Sequence, residues 1–158
     1  MKRIACGLLL LLMLVTLNGC NDPGLFAQEL RTEEEIFSQI EEDLGMEISG
    51  TITQINEGVS RDPHTLAYIN LDDVGQKSLQ DEASSNWKFG AVQEYICKGI
   101  SKFEEMIPEI AKMLDVATFE TIFWYFEDQS PDGFDFYNFI FAIYDPNENM
   151  LYYLYMTM

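Results

Sequence analysis

The chain has 158 residues, 47% hydrophobic and 13% aromatic, and this composition is too rich in core-forming side chains for a disordered protein. Its 27 acidic residues outnumber the 9 basic ones, which gives a formal net charge of −18 at pH 7. Because a phosphate backbone would not approach such a chain without a concentrated basic patch, and the sequence contains none, nucleic acid is excluded as a partner.

The first 19 residues have the organisation of an export signal. Lys2 and Arg3 supply positive charge, and an almost wholly apolar stretch runs from Ile4 to Leu17. That stretch fits the apolar region of a signal peptide, about 7–15 residues, and is shorter than the roughly 20 residues that a membrane span needs. We therefore predict a cleaved signal peptide over residues 1–19.

The sequence Leu-Asn-Gly-Cys at residues 17–20 resembles the lipobox of bacterial lipoproteins. Leu17, Gly19 and Cys20 match its aliphatic, small and cysteine positions, whereas Asn18 is larger and more polar than usual. The resemblance implies cleavage between Gly19 and Cys20 and attachment of diacylglycerol, often with a further acyl chain, to Cys20. It thereby implies a protein held by its lipid on a membrane of the bacterial cell envelope, outside the cytoplasm. The alternative is an ordinary secretory signal with a chance cysteine.

Cleavage would leave 7 basic and 27 acidic residues, a net charge of −20, because Lys2 and Arg3 are removed. This charge predicts either simple solubility or attraction for a cationic partner such as a basic protein or peptide. Cys97 would be the one remaining unmodified thiol, and we expect it to be buried and inert.

Local signals predict a tether over residues 20–32 and a single domain over residues 33–158. Thr32 followed by Glu35 is a capping-box pattern, and apolar residues at helical spacing predict a helix over residues 33–44 that stops at Gly45.

The middle of the chain gives weaker signals for strands and a stronger one for a helix. Residues 47–55 and 65–71 are candidate short strands, and residues 72–85 have the composition of a loop. Residues 86–114 carry a long apolar stripe at helical spacing, which predicts a long helix that Pro108 kinks or breaks near Glu104.

Three segments at the C-terminal end, residues 118–126, 134–144 and 150–158, are rich in aromatic and β-branched residues and predict an antiparallel meander. The predicted fold is α+β: an antiparallel sheet of three to five strands packed by one long helix and one shorter helix. Apolar residues point to both faces of the meander, so either both faces are covered or one is an aromatic surface that binds a partner. The candidate surface residues are Tyr137, Tyr152, Tyr153 and Tyr155.

The acidic turn after residue 127 partly resembles a calcium loop of the EF-hand type. Asp128, Ser130, Asp132 and Gly133 occupy its positions 1, 3, 5 and 6, but position 12 is Phe139 where the loop requires a glutamate. The better interpretation is an acidic hairpin turn. A weak calcium site formed by Asp128, Asp132 and Asp135 stays open as an alternative.

The sequence carries no catalytic motif. His64 is the single histidine, no local signature pairs it with a serine or with Cys97, and adjacent acids are expected by chance in so acidic a chain. We predict no cofactor apart from the lipid on Cys20. The leading hypothesis is a non-catalytic, lipid-anchored binding or accessory module, and its alternatives are an immunity- or inhibitor-type protein that neutralises a basic partner, a weak calcium binder and a hydrolase.

Overall fold

The computed structural model describes residues 31–58, 63–130 and 136–157, except the side chains of residues 83–85. The predicted signal peptide, Cys20 and nearly all of the predicted tether lie outside these ranges. Within them the chain forms four helices, α1 Glu33–Leu44, α2 Asp73–Asn86, α3 Glu94–Ser101 and α4 Ile110–Val116. It also forms six strands, β1 Gly50–Gly58, β2 His64–Leu71, β3 Lys88–Phe89, β4 Phe123–Asp128, β5 Asn138–Asp145 and β6 Met150–Thr157.

The six strands form one sheet in the order β1-β2-β6-β5-β4-β3, and every neighbouring pair is antiparallel. The predicted sheet of three to five strands with two helices is therefore wrong. The meander β4-β5-β6 exists, but β2 pairs with the far side of β6 and carries β1 with it. The difference arises because the β1-β2 hairpin adds to the meander through pairing between residues distant in sequence, which local patterns do not report.

Helices cover both faces of the sheet, and each face has its own core. On the first face, α3, α4 and the turns between them pack against alternate residues of β2, β5 and β6, among them Leu66, Phe141 and Leu154. On the second face, α1 and α2 pack against the intervening residues, among them Ile69 and Ala142. We call these the α3/α4 face and the α1/α2 face. This arrangement explains why the central strands are apolar on both sides.

Helix α1 spans the residues that the sequence predicts. The Thr32 side chain accepts a hydrogen bond from the Glu35 backbone, and the Glu35 side chain accepts one from the Thr32 backbone, which completes the capping box. Gly45 ends the helix in the left-handed conformation, with φ of 67°. Ile36 and Ile40 are buried against the sheet, so local and tertiary signals agree here.

Residues 73–86 form helix α2, so the loop predicted over residues 72–85 is wrong. Asp72 is the N-cap, and its Oδ1 accepts hydrogen bonds from the backbone N–H groups of Val74 and Gly75 at 3.0 and 2.9 Å. The helix has few apolar residues, and among its described side chains Leu79 is the one that enters the core of the α1/α2 face. So narrow an apolar contact leaves little helical periodicity in the sequence.

The single long helix predicted over residues 86–114 is also wrong. The segment begins with β3, passes through Gly90 at φ of 98°, and forms α3 and α4 with turns over residues 102–109 between them. Gly90 interrupts the helical path, and Pro108 prevents its continuation between the two helices. The apolar stripe nevertheless faces one core, because the turns keep Phe103 and Ile107 directed at the sheet.

Candidate binding surface

An exposed row of side chains lies where β3 and β4 form the edge of the sheet, on the α1/α2 face. We call it the β4 strip and define it as Phe89, Phe123, Tyr125 and Glu127. Phe89 on β3 lies opposite Phe123, and alternation along β4 places Tyr125 and Glu127 on the same face. Phe89 is 66% exposed, Phe123 and Tyr125 are half-buried, and Glu127 is exposed.

Buried rings support the strip from below. The ring centroids of Phe89 and Phe123 lie 5.0 Å apart, and Phe123 stacks on buried Tyr144 at 6.3 Å. Trp87, which is buried, packs against Tyr125 at 6.0 Å. Aromatic residues held in this way lose little conformational entropy when a partner covers them, which favours binding.

The end of the strip carries a fixed negative charge. The Tyr125 hydroxyl donates a hydrogen bond to Glu127 Oε2, and Gln129 Nε2 donates one to Glu127 Oε1 at 3.0 Å. These donors lower the pKa of the Glu127 carboxyl, so it is ionised at neutral pH. Burial, followed by the hydrogen bond to Glu127 and the charge of that carboxylate, raises the pKa of Tyr125 to about 12, so its hydroxyl stays a donor.

Helix α1 adds carboxylates beside the strip. Asp43 accepts a hydrogen bond from the Tyr153 hydroxyl, and the charges of Glu42 and Glu127 both act on it. Burial is the largest of the effects that raise the pKa of Asp43, and the two neighbouring carboxylates raise it further. At the other end, a methyl group placed on Gly90 would lie 3.6 Å from Glu120 Oε2, so a further carboxylate lies close to Gly90, the residue that follows Phe89.

The β4 strip therefore combines aromatic faces with carboxylates, and both attract cations. The opposite side of the same strands shows the interaction within the chain itself, since Lys88 Nζ lies 4.6 Å from the centroid of the Trp124 ring. A lysine or arginine side chain of a partner, laid along Phe123 and Tyr125, would meet the same kind of ring and the Glu127 carboxylate.

The four tyrosines predicted as a partner surface do not lie together. Tyr152 and Tyr153 are fully buried on opposite faces of β6, which is an interior strand, so neither contributes to an exposed surface. Tyr155 is half-buried and Tyr137 is 42% exposed. Tyr152 and Tyr153 are buried because β6 lies inside the sheet and helices cover both of its faces.

Sequence reasoning also missed the residues that do form the strip. The alternation of Phe123, Tyr125 and Glu127 is a signal that the sequence does contain, because alternate residues of a strand share one face. That face of β4 carries two aromatic residues followed by an acid. The helix predicted over residues 86–114 includes Phe89, whereas its actual position beside Phe123 depends on the turn at Gly90.

The candidate calcium ligands are only partly described. Asp128 Oδ1 accepts a hydrogen bond from the Ser130 backbone at 2.9 Å, as expected for an acidic turn, whereas Asp132, Gly133 and Asp135 lie outside the described residues. In the described ranges, no group of three or more histidine, cysteine or acidic side chains is placed to hold a metal ion.

His64 and Cys97, the candidate base and the candidate nucleophile, both lie in positions that contribute to the packing of the fold. His64, at the start of β2, is buried, and its Nε2 lies 3.3 Å from Asn56 Oδ1. Cys97 on α3 is half-buried against the core of the α3/α4 face, and this burial raises the pKa of its thiol. A raised pKa reduces the thiolate fraction and hence the reactivity of the sulfur.

No protein-family model, curated protein or solved structure matches this chain. Among the helices of the described residues, none has both the length and the apolar character that crossing a membrane requires.

Proposed function

We propose that this chain is a lipid-anchored protein of the bacterial cell envelope whose domain acts outside the cytoplasm as a non-catalytic binding module for a basic protein or peptide. The anchoring part rests on the charged start, the short apolar stretch and the lipobox-like residues that end at Cys20. The binding part rests on the β4 strip.

The observation that carries the binding proposal is a partly exposed aromatic row that ends in an ionised carboxylate, on a chain of net charge −18. A contiguous group of aromatic side chains at the surface is typical of a binding site, and aromatic anchors dominate many binding interfaces. The long-range field of the chain would accelerate the approach of a cationic partner, and the β4 strip would fix its position.

The anchoring part is tested by replacing Cys20 with serine and labelling cells with radioactive palmitate. The unaltered chain should take up label and sediment with the membranes, and Cys20→Ser should do neither. Cys97→Ser is the matched control and should be labelled like the unaltered chain. Label retained by Cys20→Ser would contradict the anchoring proposal.

The binding part is tested by calorimetric titration with a synthetic peptide of alternating arginine and glycine, at low and at physiological salt. Glu127→Lys should weaken binding about tenfold or more, and Phe89→Ala about fivefold, because they remove the carboxylate and the most exposed ring. Glu105→Lys is the matched control: it makes the same charge change at an exposed position between α3 and α4 and should cost less than about twofold.

The salt dependence and the two charge variants together test whether the peptide binds at the β4 strip. Binding to the β4 strip should weaken as salt rises, because the contact pairs exposed opposite charges. Equal losses in Glu127→Lys and Glu105→Lys would show that the peptide responds only to net charge and would refute the β4 strip as its site. Absence of binding at low salt would refute the proposal for a basic partner.

A further inference from the structure

The second edge of the sheet has a different chemistry from the β4 strip. Strand β1 forms this edge with nine residues, Gly50–Gly58, and pairs through one side only, with β2. Its first seven residues, Gly-Thr-Ile-Thr-Gln-Ile-Asn, carry no charge. Edge strands are commonly protected from pairing by charged residues, proline or β-bulges, and this stretch has neither a charge nor a proline, although it has one bulge between Ile52 and Gln54.

Hydrogen-bond alternation shows which backbone groups of β1 face outward. The Thr157 N–H donates to the Pro63 carbonyl at 3.0 Å and the Leu71 N–H donates to the Asn149 carbonyl at 2.9 Å, so the odd-numbered residues of β2 bond to the β6 side. The even-numbered residues of β2 therefore bond to β1, and their partners there include Gln54 and Asn56.

It follows that Ile52, Ile55 and Glu57 direct their N–H and C=O groups away from β2. Among the described residues, no backbone hydrogen bond satisfies these groups from the open side. The bulge between Ile52 and Gln54 turns both isoleucines to the α1/α2 face, where their partners Ile69 and Ala67 lie. Ile55 is 42% exposed there, although isoleucine is usually buried.

The single acid of β1 is neutralised within the chain. The Glu57 side chain is 4% exposed, and Arg31 Nε donates a hydrogen bond to its Oε1 at 2.6 Å. The strand's own charge is thus neutralised in a chain of net charge −18, and the carboxylate at its side is that of Glu109, whose Oε2 accepts a hydrogen bond from Asn56 Nδ2 at 2.9 Å. Two copies of such an acidic chain repel one another, and a strand without an unpaired charge of its own lets them approach with less repulsion than an acidic strand would.

We infer that β1 is a self-association surface, where the β1 strands of two copies pair antiparallel about a two-fold axis that passes at Ile55. The alternation of the outward-facing backbone groups fits this symmetry. Ile55 would exchange both of its outward backbone hydrogen bonds with Ile55 of the second copy, and Ile52 would lie opposite Glu57 of the second copy. The pairing would satisfy the open backbone groups, cover the exposed Ile55 side chain and join two sheets into one.

One strand pair buries a small area, so the dimer should be weak and reversible. Its salt dependence should be opposite to that of a basic partner. Salt screens the repulsion between two acidic chains and therefore strengthens pairing at β1, whereas it weakens attraction at the β4 strip. The inference does not depend on the proposed function, and each can fail while the other stands.

Cysteine cross-linking of the full chain tests the register. In the inferred dimer, the Cα atoms of the two Ile55 residues would lie about 5.5 Å apart, within the range of a disulfide. The variant Ile55→Cys, oxidised with copper phenanthroline in intact cells or in detergent, should form a covalent dimer on a non-reducing gel. Raising the salt of the detergent sample from about 50 mM to about 500 mM should increase the yield.

Thr51→Cys is the matched control, since Thr51 is an exposed residue of the same strand. In the inferred register its counterpart on the second copy lies about 20 Å away, so this variant should cross-link no more than the unaltered chain. Equal yields from Thr51→Cys and Ile55→Cys would refute the two-fold register. A yield from Ile55→Cys no higher than that of the unaltered chain at both salt concentrations would refute self-association at β1.

Discussion

Two adjacent tyrosines of β6 allow a test of whether their hydroxyls stabilise the fold. Tyr152 and Tyr153 are both fully buried, but the Tyr153 hydroxyl donates a hydrogen bond to the Asp43 carboxylate of α1, whereas the Tyr152 hydroxyl lies 3.4 Å from Glu148 Oε2. A hydrogen bond to a charged group contributes about 1.5–3 kcal/mol when buried. Because Asp43 is only half-buried, water can replace part of this bond, and we expect Tyr153→Phe to cost about 1–2 kcal/mol. Tyr152→Phe should cost less than about 1 kcal/mol, because its bond is long.

The measurement is urea unfolding followed by the fluorescence of Trp87 and Trp124, at pH 7 and near pH 4. Burial raises the pKa of Asp43 above its ordinary value of 3.8, so the folded state holds this proton more tightly than the unfolded state. The Asp43 contribution to stability therefore falls as pH rises through the raised pKa. Loss of the Tyr153 hydroxyl removes a donor that opposes this shift, so the penalty of Tyr153→Phe should be larger at pH 7 than near pH 4. Equal costs for the two variants, or a larger penalty at acid pH, would refute this reasoning.

Three further outcomes follow from local contacts. A Cβ on Gly99 would lie 2.4 Å from Cζ of buried Phe136, so Gly99→Ala should lose about 1 kcal/mol in urea unfolding, the cost of displacing the ring exceeding the gain in helix propensity. The Ser49 hydroxyl and two backbone N–H groups lower the pKa of Asp72, so its contribution is present above its unfolded pKa of 3.8 and is lost as pH falls through the folded value. Asp72→Asn should accordingly flatten the acid side of a plot of stability against pH. Cys97 should react with a bulky thiol reagent at least tenfold more slowly in the folded chain than in urea, because it is half-buried and burial raises its pKa.

The elements that the sequence predicts well are those whose signals are local. Helix α1 has its cap, its apolar spacing and its terminal glycine within residues 32–45, and strands β5 and β6 are runs of mostly apolar residues that are rich in aromatic side chains. The sequence does not predict helix α2, because its strongest signal is one capping aspartate and, among its described side chains, only Leu79 enters the core, which leaves little periodic pattern. The stripe of residues 86–114 identified the correct buried side chains but the wrong element, because spacing does not distinguish one helix from two helices and the turns between them.

Strand order decided which aromatic residues are exposed. Composition places a high aromatic content in the C-terminal part, yet Tyr153 is buried and Phe89 is exposed because β6 lies inside the sheet and β3 lies at its edge. Both positions depend on pairing between distant residues, β2 with β6 and β3 with β4. The sequence thus predicts the chemistry of the candidate surface, aromatic and acidic, but not the residues that form it.

Arg31 connects three elements where the predicted tether enters the domain. Its guanidinium donates hydrogen bonds to Gln39 of α1, Glu57 of β1 and Thr65 of β2. The Glu57 side chain is 4% exposed, so Arg31→Ala would leave a buried carboxylate without its cation, a change that costs about 3–5 kcal/mol. Arg31→Lys should recover only part of this loss, because one ammonium does not reproduce the planar fork that reaches three acceptors.

The double variant Arg31→Ala/Glu57→Gln distinguishes the buried charge from the other contacts of Arg31. Removing the Glu57 charge together with its partner should restore about half or more of the stability that Arg31→Ala loses, as measured by urea unfolding, because an uncharged amide is less costly to bury than an unpaired carboxylate. If the double variant is no more stable than Arg31→Ala, the contacts with Gln39 and Thr65 carry the stabilisation. A stable domain in Arg31→Ala would mean that the ion pair does not hold α1 to the sheet. In that case, the apolar contacts of Ile36 and Ile40 and the hydrogen bond from Tyr153 to Asp43 would hold α1 to the sheet.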